Sequence, residues 1–181
     1  MTNNLISDES LKAYKERYEL MQKNEDTEEG DKLFISKVIA VSEQIENLRV
    51  KAKIGKFEIE SDGPEELGGS GTVPGPMPML LATIANCLEI TALLYLSFSN
   101  AKVNSLHLKV EGIHDKRSAL NPQEEPFPGF LEIKYTWYVD TDESLKKIDH
   151  LLKKAEEICP VKGTFKINHN FPRKVQLTKD R

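Results

Sequence analysis

The chain has 181 residues, of which 39% are hydrophobic and 30% are charged, and its formal net charge is −4. This length and composition are typical of a soluble globular protein with one domain, or one domain plus an appendage, and they allow a core without disulfide bonds. The acidic balance and the lack of a basic patch exclude nucleic acid as an expected partner.

Residues 1–30 are predicted to form an amphipathic helix followed by an acidic linker. Ser7 can cap a helix that runs to about Lys23, and the apolar side chains between them recur at helical spacing. Residues 24–31 are almost all acidic or polar, which favours a solvated connection. The N-terminus lacks the basic and apolar segments of a signal peptide, so we expect a cytoplasmic protein.

Residues 31–181 are predicted to form the main domain, which begins with strands. Residues 33–42 are rich in strand-forming side chains, and residues 44–54 indicate a strand with one bulge or turn. Residues 57–60 alternate apolar and acidic side chains and continue a hairpin or meander. The glycine-rich residues 62–71 are typical of a loop.

A long apolar helix is predicted at about residues 78–98. Pro76 and Pro78 suit its first turn, whose N–H groups lack helical partners in any case. The segment is long enough to cross a bilayer, but Asn86 and Glu89 favour a buried central helix, and we expect no membrane association. A helix that is apolar on nearly all sides must be covered by sheets or by a second subunit.

The second half of the chain is predicted to contain strands, an amphipathic helix and a last strand. Strands are expected at residues 103–111 and 130–139, separated by a long polar loop. An amphipathic helix runs from Ser144 to about residue 158, and a final strand lies near residues 174–177. Because strands and helices are grouped rather than alternating, the fold class is α+β.

The chain has only two cysteines, Cys87 within the apolar helix and Cys159 after the amphipathic one, and they form a dithiol redox pair if the fold brings them together. A helix interior does not lower a thiol pKa, so a reactive Cys87 needs a nearby cation, for which Arg49 and Arg117 are candidates. The alternative interpretation is that Cys87 is a small buried hydrophobic residue. The four histidines show no metal-ligand spacing.

Two segments resemble the signature of the OsmC/Ohr family. Residues 68–87 contain a Gly-Gly loop, a Gly-Pro-x-Pro turn and a Leu-Leu-Ala-rich helix that ends in a cysteine. Cys159-Pro160-Val161 resembles the second cysteine motif of that family. The resemblance covers roughly residues 33–178, and the two motifs are specific together rather than apart.

The resemblance implies an OsmC-like fold in which the long central helix is enclosed by antiparallel sheets of an intertwined homodimer. It also implies thiol-dependent reduction of organic hydroperoxides in oxidative-stress protection, with Cys87 attacking the peroxide and Cys159 resolving the product as a disulfide. The substrate would be a small lipophilic hydroperoxide, and an external dithiol, lipoyl or thioredoxin-like, would restore both thiols. No metal or organic cofactor is expected.

The chain departs from the family pattern before the cysteine helix. Family peroxidases often carry a glutamate there, paired with an arginine that activates the thiol, whereas Met77 or Leu80 stands at that position here. Arg49 is our candidate for the arginine, and Lys53 or Lys56 could take its place. The departure keeps open a non-catalytic binding protein or redox sensor for a lipophilic ligand on the same fold, and a sulfur carrier that uses Cys159 is a third hypothesis.

Overall fold

The computed structural model describes residues 5–119 and 127–176. Its helices and strands follow one another in a grouped order that confirms the α+β class. In chain order the elements are α1 (Asp8–Lys23), α2 (Glu28–Phe34), β1 (Ala40–Glu46), β2 (Arg49–Ile54), β3 (Phe57–Ser61), α3 (Pro76–Phe98), β4 (Ser105–His114), β5 (Phe130–Asp140), α4 (Leu145–Glu157) and α5 (Pro160–Thr164).

The N-terminal helix is confirmed, whereas the linker after it is partly helical. The Ser7 side chain accepts a hydrogen bond from the backbone N–H of Ser10 at 3.1 Å and caps α1. The linker predicted over residues 24–31 is helical in its second half, because Thr27 accepts the N–H of Gly30 at 2.9 Å and starts α2, while its acidic residues are exposed as expected. The acidic residues after Thr27 occupy the first turn of α2, where the helix dipole favours negative charge.

The first sheet is an antiparallel meander of β1, β2 and β3. Asn47 and Gly55, with φ of 45° and 59°, occupy its two turns. The strand expected over residues 33–42 begins only at Ala40, which pairs with Ile54, the last residue of β2. The residues before Ala40 therefore have no β2 residue left to pair with.

The second sheet and three helices form the main core. β4 and β5 pair antiparallel, and α3 packs against β4, α4 and α5. The predicted amphipathic helix is confirmed as α4, with Ser144 as its N-cap. The eight fully buried members of the larger core cluster come from α3, the segment before β4, β4 and α4: Ala92, Leu96, Ala101, Val103, Leu106, Ile148, Leu152 and Ala155.

Two strand predictions need correction. β4 continues to His114, beyond the expected end at Glu111, because Gly112 and Ile113 still pair with β5. The final strand expected at residues 174–177 was wrong for its described part, because residues 174–176 are irregular and Val175 is 63% exposed. Residue 177 lies outside the described part of the chain.

The apolar helix α3 is the core helix of this fold. It is long and apolar enough to span a membrane, and it extends two residues further towards the N-terminus than predicted. Ile84, Leu88, Ala92 and Leu96 recur every four residues and are all buried. Ile90, on another face, is 58% exposed, so one chain covers α3 only in part.

Candidate active site

The fold brings the two cysteines into contact. The Sγ atoms of Cys87 and Cys159 lie 3.4 Å apart although the residues are 72 positions apart in sequence. Both are free thiols. Since a disulfide has an S–S distance of about 2.05 Å, a small approach of the two sulfur atoms would allow the bond to form.

The two cysteines lie on helices that pack against each other. Cys87 projects from α3, and Cys159 follows α4 as the N-cap of α5, with Pro160 in the first turn. Pro160 suits that place because its missing N–H would have no helical partner. Since α3 packs against both α4 and α5, the junction between the two later helices lies over Cys87.

The surroundings of the thiol pair are apolar. Cys159 is only 1% exposed and forms a buried cluster with Ile84 and Leu88, while Cys87 is half-buried. Further apolar side chains from α3, both strands of the second sheet and α5 pack around them: Leu80, Leu81, Leu108, Val110, Ile133, Tyr135, Trp137 and Val161. The surroundings of Cys87 therefore favour an apolar group beside the more accessible sulfur.

The two thiols differ in burial, and the pKa of Cys159 is raised. Burial raises the pKa of Cys159, and contact with the Cys87 sulfur raises it further, although backbone N–H groups of Lys162 and Val161 act in the opposite direction. Cys159 is therefore protonated at neutral pH. Cys87 is the more exposed of the two and is therefore the more accessible to a reagent.

A polar network lies beside the thiol pair, at the junction of β5, α4 and α5. The Glu156 carboxylate accepts hydrogen bonds from the Tyr135 hydroxyl at 2.6 Å and from the Trp137 indole N–H at 3.0 Å. The Lys162 ammonium donates to the same carboxylate at 2.9 Å and to the Tyr135 hydroxyl at 2.8 Å. The network therefore links three elements through one carboxylate.

The charges in this network stabilise each other. Burial alone would raise the pKa of Glu156, but the hydrogen bonds from Tyr135, Lys162 and Trp137 bring it below its ordinary value. Burial would likewise lower the pKa of Lys162, yet its bonds to Tyr135 and Glu156 raise it above the ordinary value. The pKa of Tyr135 is raised by burial and by its bond to Glu156. At neutral pH the network holds a carboxylate, an ammonium and a neutral phenol.

Both arginine candidates form ion pairs with carboxylates. Arg49, on β2, donates from its Nε to Glu60 at 2.9 Å and lies 4.0 Å from Glu46, both in the first sheet. Within the described part of one chain, Arg49 makes these contacts and none with the thiol pair. Its role towards Cys87 therefore stays a prediction. Arg117, in the loop after β4, pairs with Asp115.

Sequence reasoning missed Glu156 and Lys162, although one signal was present. Ile148 and Leu152 mark the inward face of α4, and Glu156 continues that row four residues later. A carboxylate at an inward position requires a partner. Lys162 directly follows the Cys159-Pro160-Val161 motif and supplies that partner. Within residues 5–119 and 127–176, no group of three His, Cys, Asp or Glu side chains is arranged to hold a metal ion.

Comparison with known proteins identifies similar sequences and folds. The family model described as "OsmC-like protein" matches residues 69–171. The OsmC-like protein from Mycoplasma pneumoniae is 24% identical, with a TM-score of 0.61 over 72% of this chain and 88% of that chain. None of the curated proteins matches.

Two further solved structures share the fold. The organic hydroperoxide resistance protein OsmC from Legionella pneumophila is 19% identical, with a TM-score of 0.53 over 72% of this chain and 90% of that one. An organic hydroperoxide resistance protein from Elizabethkingia anophelis is 18% identical, with a TM-score of 0.54 over 74% and 91%. These likenesses confirm the fold.

Proposed function

The chain belongs to the OsmC-like protein family, and on that premise we propose that it reduces organic hydroperoxides with Cys87 and Cys159. The observation that carries the proposal is the 3.4 Å separation of the two sulfur atoms among apolar side chains. The structures from Legionella pneumophila and Elizabethkingia anophelis, named as organic hydroperoxide resistance proteins, support the same chemistry.

In the proposed first step, the Cys87 thiolate attacks an oxygen of the hydroperoxide. A sulfur–oxygen bond forms as the oxygen–oxygen bond breaks, and sulfur gives two electrons to the peroxide. The alcohol leaves after taking a proton from water, and Cys87 becomes a sulfenic acid. Cys87 suits this step because it is the more exposed thiol of the pair.

In the proposed second step, Cys159 attacks the sulfenic sulfur. The disulfide forms as hydroxide leaves, and that hydroxide becomes water with the proton that Cys159 gives up. The raised pKa of Cys159 keeps it protonated beforehand, so it does not compete with Cys87 for peroxide. An external dithiol, lipoyl or thioredoxin-like, then reduces the disulfide by two exchange steps.

We also propose that the active form is a homodimer. Only 22% of the most apolar stretch of α3 is buried within one chain. The first sheet makes no substantial contact with α3 in the described part of the molecule, and several of its apolar side chains, such as Val41, Phe57 and Ile59, stay exposed. A second copy would cover both surfaces, and the apolar surroundings of the thiols support a small lipophilic substrate. The free thiols support a reducing, cytoplasmic setting.

Peroxide turnover tests the proposal. Purified protein should consume several equivalents of cumene hydroperoxide when dihydrolipoamide is present, and Cys87→Ser should reduce consumption to the rate without protein. The exposed Lys154→Met variant serves as a control for general perturbation. Equal consumption by wild type and Cys87→Ser would refute the thiol peroxidase proposal.

A second candidate function is a redox sensor or binding protein for a lipophilic ligand. The observation that favours it is the first turn of α3, which carries no acidic residue, in keeping with the apolar Met77 and Leu80. A sensor would form the Cys87–Cys159 disulfide with one equivalent of peroxide but would not turn over with dithiol. A sulfur carrier on Cys159 has less support, because that sulfur is buried.

A further inference from the structure

The resolving cysteine depends on a helix that is too short to hold its own position. Cys159 is the N-cap of α5, which spans only Pro160–Thr164. An isolated helix of this length is not stable, because helix nucleation costs more than one turn of hydrogen bonds returns. The position of the Cys159 sulfur therefore depends on its own packing beside Ile84 and Leu88 and also on what fastens α5 to its neighbours.

Two side chains of α5 make that attachment. Val161 packs into the apolar cluster around the thiols. Lys162 reaches out of α5 and donates to the Tyr135 hydroxyl on β5 and to the Glu156 carboxylate on α4. Glu156 is itself fixed by Trp137 and Tyr135, so the ammonium is bound to an oriented acceptor. Apolar packing opposes the separation of α5 from its neighbours. The two directional hydrogen bonds of Lys162 also oppose sliding and rotation of α5.

We propose that Lys162 is a positioning residue, and that its bonds to Tyr135 and Glu156 fix α5 so that the Cys159 sulfur stays within reach of Cys87. The inference deepens the proposed function and rests on it for its biological use. Lys162 acts through position rather than charge, because the Glu156 carboxylate neutralises its ammonium at 2.9 Å.

The chain offers a matched control for this pair. Lys154 and Glu157 also lie 2.9 Å apart, but their side chains are 47% and 58% exposed, against 32% and 15% for Lys162 and Glu156. Exposed pairs contribute little because solvent screens them and their side chains lose entropy on pairing. Both pairs are near Cys159 in sequence, but only Lys162, in the less exposed pair, fastens α5 to α4 and to β5.

The test is the thiol–disulfide equilibrium with dithiothreitol. Protein dithiol gives two electrons and two protons to oxidised dithiothreitol, and the equilibrium constant reports the effective concentration of one cysteine at the other. Lys162→Met should lower that effective concentration roughly tenfold, which raises the reduction potential of the disulfide by about 30 mV. Lys154→Met should leave it at the wild-type value, and Lys162→Arg should restore most of the loss.

A second variant keeps the test decisive if Lys162→Met does not fold. Tyr135→Phe removes the hydroxyl that accepts a hydrogen bond from Lys162 and donates one to Glu156. It should shift the equilibrium in the same direction, and thermal unfolding should confirm that the variant is folded. An unchanged equilibrium in the folded variants, or an equal shift in Lys154→Met, would overturn the inference.

The two proposals fail separately. The dithiothreitol equilibrium contains no peroxide, so it reports the role of Lys162 even if wild-type protein does not turn over hydroperoxide. Turnover by wild type together with an unchanged equilibrium in Lys162→Met would retain the proposed function and reject the positioning role.

Discussion

The half of the molecule that holds the thiols differs sharply from the first sheet. α3, the second sheet, α4 and α5 bury a continuous set of side chains and bring Cys87 and Cys159 together. The first sheet has a strand, β1, that is exposed at every position. One chain therefore brings the two thiols together, whereas it leaves the central helix only partly covered.

The two faces of the first sheet show where that cover belongs. On one face Lys51 lies 3.8 Å from Glu43 and 3.6 Å from Glu58, which suits solvent. The pairing register places Ile59 opposite Ala52 on the other face, and Phe57 opposite Ile54. Phe57 is 67% exposed and Ile59 is 44% exposed, so this apolar face is largely uncovered within the described part of the chain.

The largest effect is expected for a charge placed on that apolar face. Ile59→Lys should convert a dimer into monomers, because a lysine buried without a partner costs several kcal/mol. Sedimentation velocity at micromolar concentration measures the change. Glu58→Gln, on the charged face, should remain dimeric, and a wild type that sediments as a monomer would refute the dimer proposal.

The next effect concerns the packed half. Leu88 is 1% exposed beside Cys159, so Leu88→Ala should lower the free energy of unfolding by about 2–5 kcal/mol through lost burial and a cavity. Urea unfolding followed by tryptophan fluorescence is a suitable measurement. The exposed Leu145→Ala should change the free energy far less, and equal losses would contradict the contrast in packing.

The proposed roles of the two thiols predict a third effect. Cys159→Ser should still consume one equivalent of hydroperoxide, because Cys87 remains, but steady turnover with a dithiol should fall by roughly a hundredfold since a positioned thiol is lost. Mass spectrometry with a sulfenic-acid trap should find the label on Cys87. A label-free Cys87 with normal turnover would assign the chemistry elsewhere.

The smallest effect is a pH dependence of stability at the polar network. The folded-state pKa of Glu156 is lowered, so its stabilisation is present above the ordinary pKa of a glutamate and is lost as the pH falls through the folded value. Glu156→Gln should therefore cost about 1–3 kcal/mol at neutral pH, and the difference from wild type should shrink in acid.

Thermal unfolding of Glu156→Gln between neutral and acidic pH measures this difference. Glu157→Gln is the control, because Glu157 pairs with Lys154 in solvent. A pH-independent difference for Glu156→Gln would show that the loss comes from packing rather than from the ionised carboxylate.

Several elements were predictable because their signals are local. The cap at Ser7, the periodicity of α4 after Ser144 and the alternation in β5 each depend on residues close in sequence. The motif around Cys87 likewise indicated the family that the match over residues 69–171 confirms. The short helix α2 was not predicted, because the acidic residues after Thr27 were interpreted as a solvated linker. The structure shows that Thr27 caps a helix and that these residues form its first turn.

By itself, the sequence determined the three long helices, the main strands, the fold class and the identity of the two thiols, since periodicity, capping and motif spacing are properties of neighbouring residues. The tertiary structure alone decided that the sulfurs of Cys87 and Cys159 lie 3.4 Å apart and that Lys162 and Glu156 meet beside them. Such contacts depend on how helices and sheets pack, and packing joins residues whose separation in sequence carries no information about distance.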